Sequence, residues 1–217
     1  MVKGTAKYFA DVSTRETILA RAVSLFARAG FEGVTMRDIA ADVGVSVAAL
    51  YYHFANKEAL YLEAMAFAFA DKADGITTAL AAPGTVIERL TRFIEGFTQL
   101  IAGDPNFQAL LHRELLDGDE TRLQLLAERV FNAPYSAIVH LAAEIAPECD
   151  AHLLAISIAG LILFHFETAP LRRFLPGSRS EHDLPGVIAQ HILRLLINGV
   201  ARGAVILNGS PTGPVST

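Results

Sequence analysis

The chain has 217 residues, of which 52% are hydrophobic, and its formal net charge at pH 7 is −5. No stretch offers the roughly 20 uninterrupted apolar residues of a transmembrane helix, and this argues against a membrane protein. The high apolar content therefore favours a surface that is buried in an oligomer. The start lacks the apolar core of a signal peptide, and the single cysteine, Cys149, excludes an internal disulfide. We therefore expect a cytoplasmic protein.

The first predicted helix covers residues 14–29. Ser13 and Glu16 form a capping-box pattern at its start. Apolar residues then recur at helical spacing, at Ile18, Ala22, Leu25, Phe26 and Ala29. This pattern predicts a helix that holds the next two short helices at a fixed angle.

The segment TMRDIAADVGVSVAALYYHF, residues 35–54, predicts two short helices joined by a tight turn. Thr35 can cap the first helix, with Asp38 as its capping-box partner. Gly44 can adopt the left-handed conformation that ends this helix, and Ser46 can cap the second one. Two helices around a four-residue turn that contains glycine are typical of a helix-turn-helix motif.

The remainder of the chain predicts further helices and no strand. The predicted helices cover residues 56–82, 85–102, 104–116, 121–146, 151–168 and 183–203. Pro134 predicts a bend or break in the helix that contains it, because proline donates no backbone hydrogen bond. Residues 170–185 predict a loop.

Charge alone does not predict the partner of this protein. Residues 1–60 contain seven Lys and Arg against six Asp and Glu, whereas the remainder contains eleven against seventeen. The first part is the less acidic one, but it has no strongly basic patch. The helix-turn-helix pattern, not the charge, indicates a nucleic-acid partner.

Three linked segments resemble a known family. They are AxxLFxxxGF at residues 22–31, TxRDIAxxxGVS at 35–46 and LYxHFxxKEAL at 50–60. In this order and spacing, roughly the first 65 residues closely resemble the DNA-binding domain of the TetR family of transcriptional regulators. The resemblance implies an all-α fold with an N-terminal three-helix helix-turn-helix DNA-binding domain and a C-terminal helical ligand-binding and dimerisation domain. We place the domains at 11–60 and 61–207, followed by a disordered tail at 208–217.

The resemblance also implies a function. The chain would be a one-component regulator, most simply a repressor that binds a palindromic DNA operator as a homodimer and is released by a small-molecule effector. It would be no enzyme and would need no cofactor. The sequence itself contains no phosphate-binding glycine loop, HExxH motif or nucleophile elbow.

One α-helix fits the major groove, and residues near its N-terminus reach the base edges. The resemblance places five residues at base edges: Arg37, Val47, Ala48, Ala49 and Tyr51. Val47, Ala48 and Ala49 can contact thymine methyl groups but form no side-chain hydrogen bonds. We therefore expect directional contacts from Arg37 and Tyr51, with a contribution from DNA shape.

The resemblance assigns Tyr52 and Lys57 to the phosphate backbone. Lys57 lies at a helix N-terminus, which already favours an anion. For Tyr52 and His53 the alternative is packing beneath the helix pair, whereas Leu50 and Phe54 are assigned to the core. The complete predicted DNA-binding set is Thr35, Met36, Arg37, Ser46, Val47, Ala48, Ala49, Tyr51, Tyr52, His53 and Lys57.

The apolar patterns of two predicted helices near the C-terminus indicate that these helices form a dimer interface. The helix at 151–168 is apolar on every face, so it must be covered on all sides. The helix at 184–202 carries an apolar stripe of Ile188, Ile192, Leu195 and Leu196. Two such helices from each subunit would form a four-helix interface. The resemblance implies that such a dimer holds its two heads about 34–36 Å apart, one turn of DNA. A buried core helix in a monomer is the alternative.

A ligand pocket is expected between the helices at 56–82, 85–102, 104–116 and 121–146, and the apolar sequence favours a hydrophobic or aromatic effector. The predicted ligand-binding residues are Phe93, Phe97, Phe107, Leu111, His112, Phe131, Tyr135 and His165. For each of them the alternative is an ordinary core position. Polar residues amid apolar sequence would need partners if buried; these are His112, Arg113, Glu114, His165 and Glu167.

Other readings stay open. His112, His165 and Glu167 could bind a metal, although their spacing matches no metal motif, or they could form structural hydrogen bonds. The regulator could lack a small-molecule effector and respond to a protein partner or to its own abundance. It could also activate transcription. The sequence does not identify the effector, the operator or the regulated genes.

Overall fold

Helices form all the regular structure in the part of the chain that can be described. The structure is a computed structural model, and it describes the backbone of residues 3–207 and the side chains of residues 14–70 and 74–199. The tail predicted at 208–217 lies outside these residues. Within them there is no strand, which confirms the all-α prediction, and none of the helices is both long and apolar enough to cross a membrane.

The helices follow one another with short connections. In chain order they are α1 (Lys3–Ala29), α2 (Met36–Val43), α3 (Val47–His53), α4 (Lys57–Ala81), α5 (Val86–Gly103), α6 (Pro105–Asp117), α7 (Glu120–Leu126), α8 (Asn132–Ile145), α9 (Ala151–Glu167), α10 (Ala169–Arg172) and α11 (Pro185–Leu207). A π-helical turn at Ala127–Phe131 joins α7 to α8, and a 3₁₀ turn at Ser180–Asp183 precedes α11.

The helix boundaries differ from the predictions in three places. Helix α1 begins at Lys3, ahead of the predicted start at residue 14. The break predicted at Pro134 is the π-helical turn just before it. Pro134 has no backbone N–H to donate to the carbonyl of Val130, four residues earlier, and Val130 lies within that turn. The predicted loop at 170–185 contains α10 and the 3₁₀ turn.

The chain forms two compact units. The first unit comprises the residues up to Asp74 together with Asp104–Asn132. In it, α1 packs against α2 and α6, and α2 packs against α3. The largest buried side chains of this unit include Ile18, Phe26, Ile39, Leu50, Phe54, Leu60, Tyr61, Met65 and Phe107. Burial of these side chains supplies the main driving force for folding this unit.

The second unit comprises Gly75–Gly103 and the residues from Ala133 onward. Here α5 packs against α11 and α9, and α9 also contacts α10 and α11. The buried side chains along these helices include Leu90, Phe93, Ile94, Ile158, Ile162, Ile188 and Ile192. Ion pairs on its surface include Arg89 with Glu144 and Arg172 with Asp183.

Candidate DNA-binding surface and ligand cavities

The start of α2 is fixed by a capping box between Thr35 and Asp38. The Thr35 hydroxyl oxygen accepts the Asp38 backbone N–H at 3.2 Å, and the Asp38 carboxylate accepts the Thr35 backbone N–H at 2.8 Å. The Thr35 hydroxyl also donates to this carboxylate at 2.6 Å. The two hydrogen bonds that the Asp38 carboxylate accepts, first from the Thr35 hydroxyl and then from the Thr35 backbone N–H, lower the pKa of Asp38. Since the Thr35 hydroxyl proton is engaged here, it is not available to a phosphate in this conformation.

The turn between α2 and α3 is fixed by Gly44 and Ser46. Gly44 adopts a left-handed conformation with φ of 81°, and its backbone N–H donates to the Ala40 carbonyl at 3.0 Å. The Ser46 hydroxyl oxygen accepts the Ala49 backbone N–H at 3.0 Å and thereby caps α3. All three caps predicted for this motif are confirmed.

Gly44 should be sensitive to the smallest substitution. A Cβ at this position would meet nothing within 4 Å, so the cost of Gly44→Ala is that of the left-handed backbone alone. We expect the free energy of unfolding to fall by about 1–2 kcal/mol, measured by urea denaturation. As a control, Gly199→Ala in α11 also meets nothing within 4 Å but has a helical backbone, so it should raise stability by about 0.5–1 kcal/mol. Shifts of the same sign for both variants would contradict this interpretation.

The outer face of α3 presents two aromatic side chains to solvent. Leu50 and Phe54 are buried on its inner face, as predicted. Tyr51 is exposed on the outer face, and Tyr52 is 76% exposed. The His53 ring is half-buried and meets the Tyr52 ring edge-on, with centroids 5.2 Å apart. An exposed, hydroxyl-bearing face on a rigid core is suited to contact a groove and its phosphates.

The other predicted DNA-binding residues differ in accessibility. Arg37 and Ala48 are exposed, whereas Val47 and Ala49 are half-buried. Met36 is only 7% exposed and belongs to the core, so it is not part of the exposed surface that we predicted it to join. Met36 follows Thr35 at the first position of α2, where the helix turns one side toward the protein interior.

Lys57, at the start of α4, is held by the fold. Its Nζ donates to the Phe31 carbonyl at 3.0 Å and lies 4.1 Å from the centroid of the Phe31 ring. The Glu32 carboxylate is 3.9 Å from the same nitrogen. These contacts orient the ammonium group, and a phosphate approaching it would compete with the exposed side chain of Glu32.

A buried polar network lies below this surface in the first unit. Tyr61 donates through its hydroxyl to the Glu114 carboxylate at 2.8 Å, and Arg122 donates from Nε to the same carboxylate at 3.1 Å. Burial and the bond to Glu114 raise the pKa of Tyr61 far above its usual range. The sequence indicated that Glu114 would need a partner if buried, but it gave no signal for Tyr61 or Arg122.

Arg113, the neighbour of Glu114, caps the C-terminus of α1. Its Nε donates to the Ala27 carbonyl at 2.9 Å, and its Nη2 donates to the Arg28 carbonyl at 2.8 Å. Carbonyls at a helix C-terminus lack partners within their own helix, and a cation also suits the negative end of the helix dipole. Two consecutive residues of α6 therefore fasten it to the helices that carry the helix-turn-helix.

The predicted ligand-binding residues fall in both units. In the first unit, Phe107 and Phe131 each contact Phe69, with ring centroids 5.2 Å and 5.0 Å away. Leu111 of the same unit is half-buried, and His112 is exposed. These aromatic residues form a packed cluster, which is the core alternative that the sequence left open.

In the second unit, Phe93 and Phe97 stack with centroids 5.6 Å apart and line a cavity of about 110 Å³. Its other apolar wall residues are Ile76, Ala79 and Leu100. Arg92 also lines this cavity, and its guanidinium donates to the carbonyls of Ala82 and Pro83, each at 3.1 Å. The cavity is apolar, with its one cation engaged by backbone.

Two further predicted residues lie elsewhere in the second unit. Tyr135 bonds to His152 through its hydroxyl, at 2.8 Å from Nδ1 and 3.2 Å from the backbone carbonyl. Burial and the charge of Asp150 raise the pKa of Tyr135. His165 lines a different cavity, described below. No group of three His, Cys, Asp or Glu suited to a metal occurs among the described residues.

Two capped short helices, the second of which exposes its outer face, are typical of DNA-binding proteins of the helix-turn-helix class. Residues 18–64 match the model of the bacterial regulatory proteins, tetR family. The biofilm operon icaADBC negative transcriptional regulator IcaR of Staphylococcus epidermidis is 40% identical over 47 residues, 22% of this chain and 25% of that protein. IcaR of Staphylococcus aureus NCTC 8325 is 36% identical over 55 residues, 25% of this chain and 30% of that protein. The matches thus span less than a third of these relatives.

Solved structures extend the likeness to most of the chain. FadR from Bacillus subtilis, in complex with stearoyl-CoA, has a TM-score of 0.71 and 20% identity, covering 85% of this chain and 98% of that one. AibR, in complex with isovaleryl coenzyme A and operator DNA, has a TM-score of 0.67 and 21% identity, covering 84% and 97%. The TetR-family regulator PfmR from Thermus thermophilus has a TM-score of 0.61 and 23% identity, covering 84% and 98%. At 20–23% sequence identity, these similarities show that the fold is shared, and they show nothing about function.

The chain is thus similar to the TetR family of transcriptional regulators, and the family's own model matches its DNA-binding part at residues 18–64.

Proposed function

We propose that this regulator is a repressor that binds a palindromic operator as a homodimer and leaves it when a small apolar effector binds. The observation that carries the proposal is the outer face of α3. Its tyrosines are exposed, while Leu50 and Phe54 beneath them are buried and the turn before them is capped at both ends. Such a helix is presented rigidly for insertion into a major groove.

Each exposed residue has a role set by its chemistry. Arg37 and Tyr51 would contact base edges, and Ala48 would lie against thymine methyl groups. Tyr52 and Lys57 would donate to phosphates. The Ser46 hydroxyl, which accepts the cap hydrogen bond, keeps its own proton for a phosphate oxygen, whereas the Thr35 hydroxyl does not.

The Tyr52 hydroxyl provides a direct test of the DNA-binding role. Tyr52→Phe removes one hydroxyl from a side chain that is already exposed, so the fold should not change. A hydrogen bond to a charged group contributes about 1.5–3 kcal/mol, and the dimer loses two, so operator affinity should fall at least about a hundredfold. The operator would first be located by footprinting the DNA upstream of the gene for this protein, and affinity would then be measured by gel shift.

Tyr135, a tyrosine of the second unit, provides a matched control. Tyr135→Phe also removes one hydroxyl, but that hydroxyl bonds to His152 in the second unit. It should leave operator affinity unchanged. Equal affinities for the wild type and Tyr52→Phe would remove Tyr52 from the interface, and absence of any palindromic footprint would contradict the proposed function itself.

The dimer proposal rests on α9, which is apolar on both of its faces. Ala155, Ile158 and Ile162 are fully buried against the second unit. Leu153, Ile156 and Phe164, on the other face, are exposed in the single chain. Leu184, just before α11, and Leu195, in the middle of α11, are exposed as well. Exposed apolar side chains in this number favour a protein–protein contact. A second copy of this chain satisfies it, since a palindromic site needs a symmetric reader.

The effector proposal rests on the apolar cavity at Phe93 and Phe97. An acyl or aromatic group would fill it, and the acyl-CoA complexes of FadR and AibR make acyl thioesters the first compounds to test. An effector that binds a conformation with a different head spacing would release the DNA. We expect an acyl-CoA or aromatic acid to dissociate the operator complex in gel shifts, and Phe97→Ala to change the effective concentration without changing affinity for free operator.

If no compound of either class dissociates the complex, the alternative gains support. The chain would then be a regulator, repressor or activator, that responds to a protein partner or to its own abundance. The DNA-binding and dimer proposals would not be affected by that result.

A further inference from the structure

A second cavity lies in the second unit, beside α9, α10, the 3₁₀ turn and α11. Its volume is about 220 Å³, room for roughly seven waters at about 30 Å³ each. Its wall consists of His165, Arg172, His182, Val187, Ile188 and His191. Three imidazoles and a guanidinium in one small cavity are unusual, and neither DNA binding nor the cavity at Phe93 uses them.

The tautomers of two histidines follow from their partners. Arg172 Nη1 lies 3.3 Å from His165 Nδ1, and because a guanidinium can only donate, this nitrogen must accept. Burial, Arg172 and His191 lower the pKa of His165, which favours the neutral ring. Its one proton is therefore on Nε2.

His182 follows the same pattern. Its Nδ1 accepts the Arg179 backbone N–H at 3.3 Å, so Nε2 carries its proton as well. Both rings have used their acceptor nitrogen within the protein, and each retains an N–H donor. Arg172 has no acceptor at all. The defined polar groups of this wall are therefore donors, and they complement a ligand group that only accepts hydrogen bonds.

A carboxylate is such a group, and the protein already contains one at the edge of this site. Asp183 accepts a hydrogen bond from Arg172 Nη2 at 2.6 Å, although the Asp183 side chain is 58% exposed. Arg172 is thus already paired with a carboxylate, and the donors left for a ligand are the N–H groups of His165 and His182. Val187 and Ile188 supply an apolar wall for the remainder of a ligand.

We infer that this cavity binds a small monocarboxylate, with its carboxylate on the N–H groups of His165 and His182 beside Arg172 and its hydrocarbon part against Val187 and Ile188. A ring acid such as benzoate matches both the donors and the size of the cavity. The site would be a second ligand site, separate from the apolar cavity at Phe93.

Calorimetric titration of the full chain with benzoate, without DNA, tests the inference. We expect one site per chain. His165→Leu should weaken benzoate binding at least about tenfold, because it removes an N–H donor to an anion. His165→Gln should retain most of the affinity, since its amide N–H lies about where Nε2 was. His140→Leu, at an exposed histidine of α8, should bind benzoate like the wild type.

Several results would overturn the inference. These are unchanged binding in His165→Leu, equal loss in the Leu and Gln variants, binding of neutral benzamide as tight as that of benzoate, or binding of inorganic phosphate in place of benzoate. Circular dichroism and sedimentation of each variant would confirm that fold and oligomeric state are retained. Because no DNA is present, the outcome is independent of the proposed repressor function.

Discussion

In the proposed homodimer, replacing Phe164 by glutamate should separate the two subunits into monomers and lower operator affinity at least about a hundredfold. Phe164 is 64% exposed in the single chain, so the substitution removes little from the fold of one subunit. In a symmetric interface, however, each substitution occurs twice. Two carboxylates would be buried against apolar α9 surfaces without partners, and an unpaired buried charge is strongly unfavourable. Sedimentation velocity measures the first effect and a gel shift the second.

The loss of affinity follows from the loss of pairing. When one head of a dimer is bound, the second is held near its half-site at an effective concentration far above that of free protein, which strengthens binding by roughly 10²–10⁴ without new contacts. A monomer has only the contacts of one α3. The footprint of Phe164→Glu, if any remains at high concentration, should therefore shrink to half-sites.

Leu116→Glu is the matched control. Leu116 is also an exposed apolar residue, but it lies at the end of α6 in the first unit. This variant should remain a dimer and bind operator normally. If Phe164→Glu remains dimeric at micromolar concentration, the interface does not use this face of α9. If both variants become monomers, exposed apolar residues in general, and not the α9 face, hold the dimer together.

The sequence predicted the helix-turn-helix well because its determinants are local. Thr35 and Asp38 lie three residues apart, as do Ser46 and the Ala49 amide that it accepts, so their hydrogen bonds need no tertiary information. Gly44 follows the last residue of α2 and ends the helix in a left-handed conformation, which glycine adopts readily. The caps and the turn could therefore be assigned from residue type and spacing alone.

The same reasoning could not predict which residues distant in the sequence contact one another in the folded protein. Met36 could be assigned to either side of α2, and only the packing shows that it is buried. Lys57 was expected at a phosphate, but its contact with the Phe31 carbonyl joins residues 26 apart in the sequence. Likewise, the periodicity of Phe93, Phe97, Phe107 and Phe131 gives their inward direction but not which rings meet.

The network around Glu114 should show the largest effect on stability. We expect Glu114→Leu to lower the free energy of unfolding by about 3–5 kcal/mol, measured by urea denaturation at one protein concentration. Glu114 is 1% exposed and the Arg122 side chain 7%. Without the carboxylate, a buried guanidinium loses its closest counter-ion, and Asp119 and Asp117 remain only at 3.5 Å and 3.8 Å. The Tyr61 hydroxyl loses its acceptor as well.

The double variant Glu114→Leu/Arg122→Leu distinguishes the contribution of the ion pair to stability from that of the other contacts of the two side chains. Replacing both partners of a buried ion pair by apolar residues is often nearly neutral, so most of the loss in the single variant should be recovered. Recovery will be incomplete because the Arg122 guanidinium also lies 4.4 Å from the centroid of the Phe31 ring. Tyr61→Phe should cost less than the single Glu114 variant, about 1.5–3 kcal/mol, since it removes one hydrogen bond to the carboxylate and leaves the ion pair intact.

Coupling between the two positions is the decisive quantity. If Glu114 and Arg122 act as a pair, the double variant must be much more stable than the sum of the two single effects predicts. Strictly additive losses would mean that each side chain is held by other groups, and the ion pair would then contribute nothing specific. Because Arg113 next to Glu114 caps α1, a real coupling would also place the anchoring of α6 to the helix-turn-helix on two adjacent residues, one at the surface and one in the core.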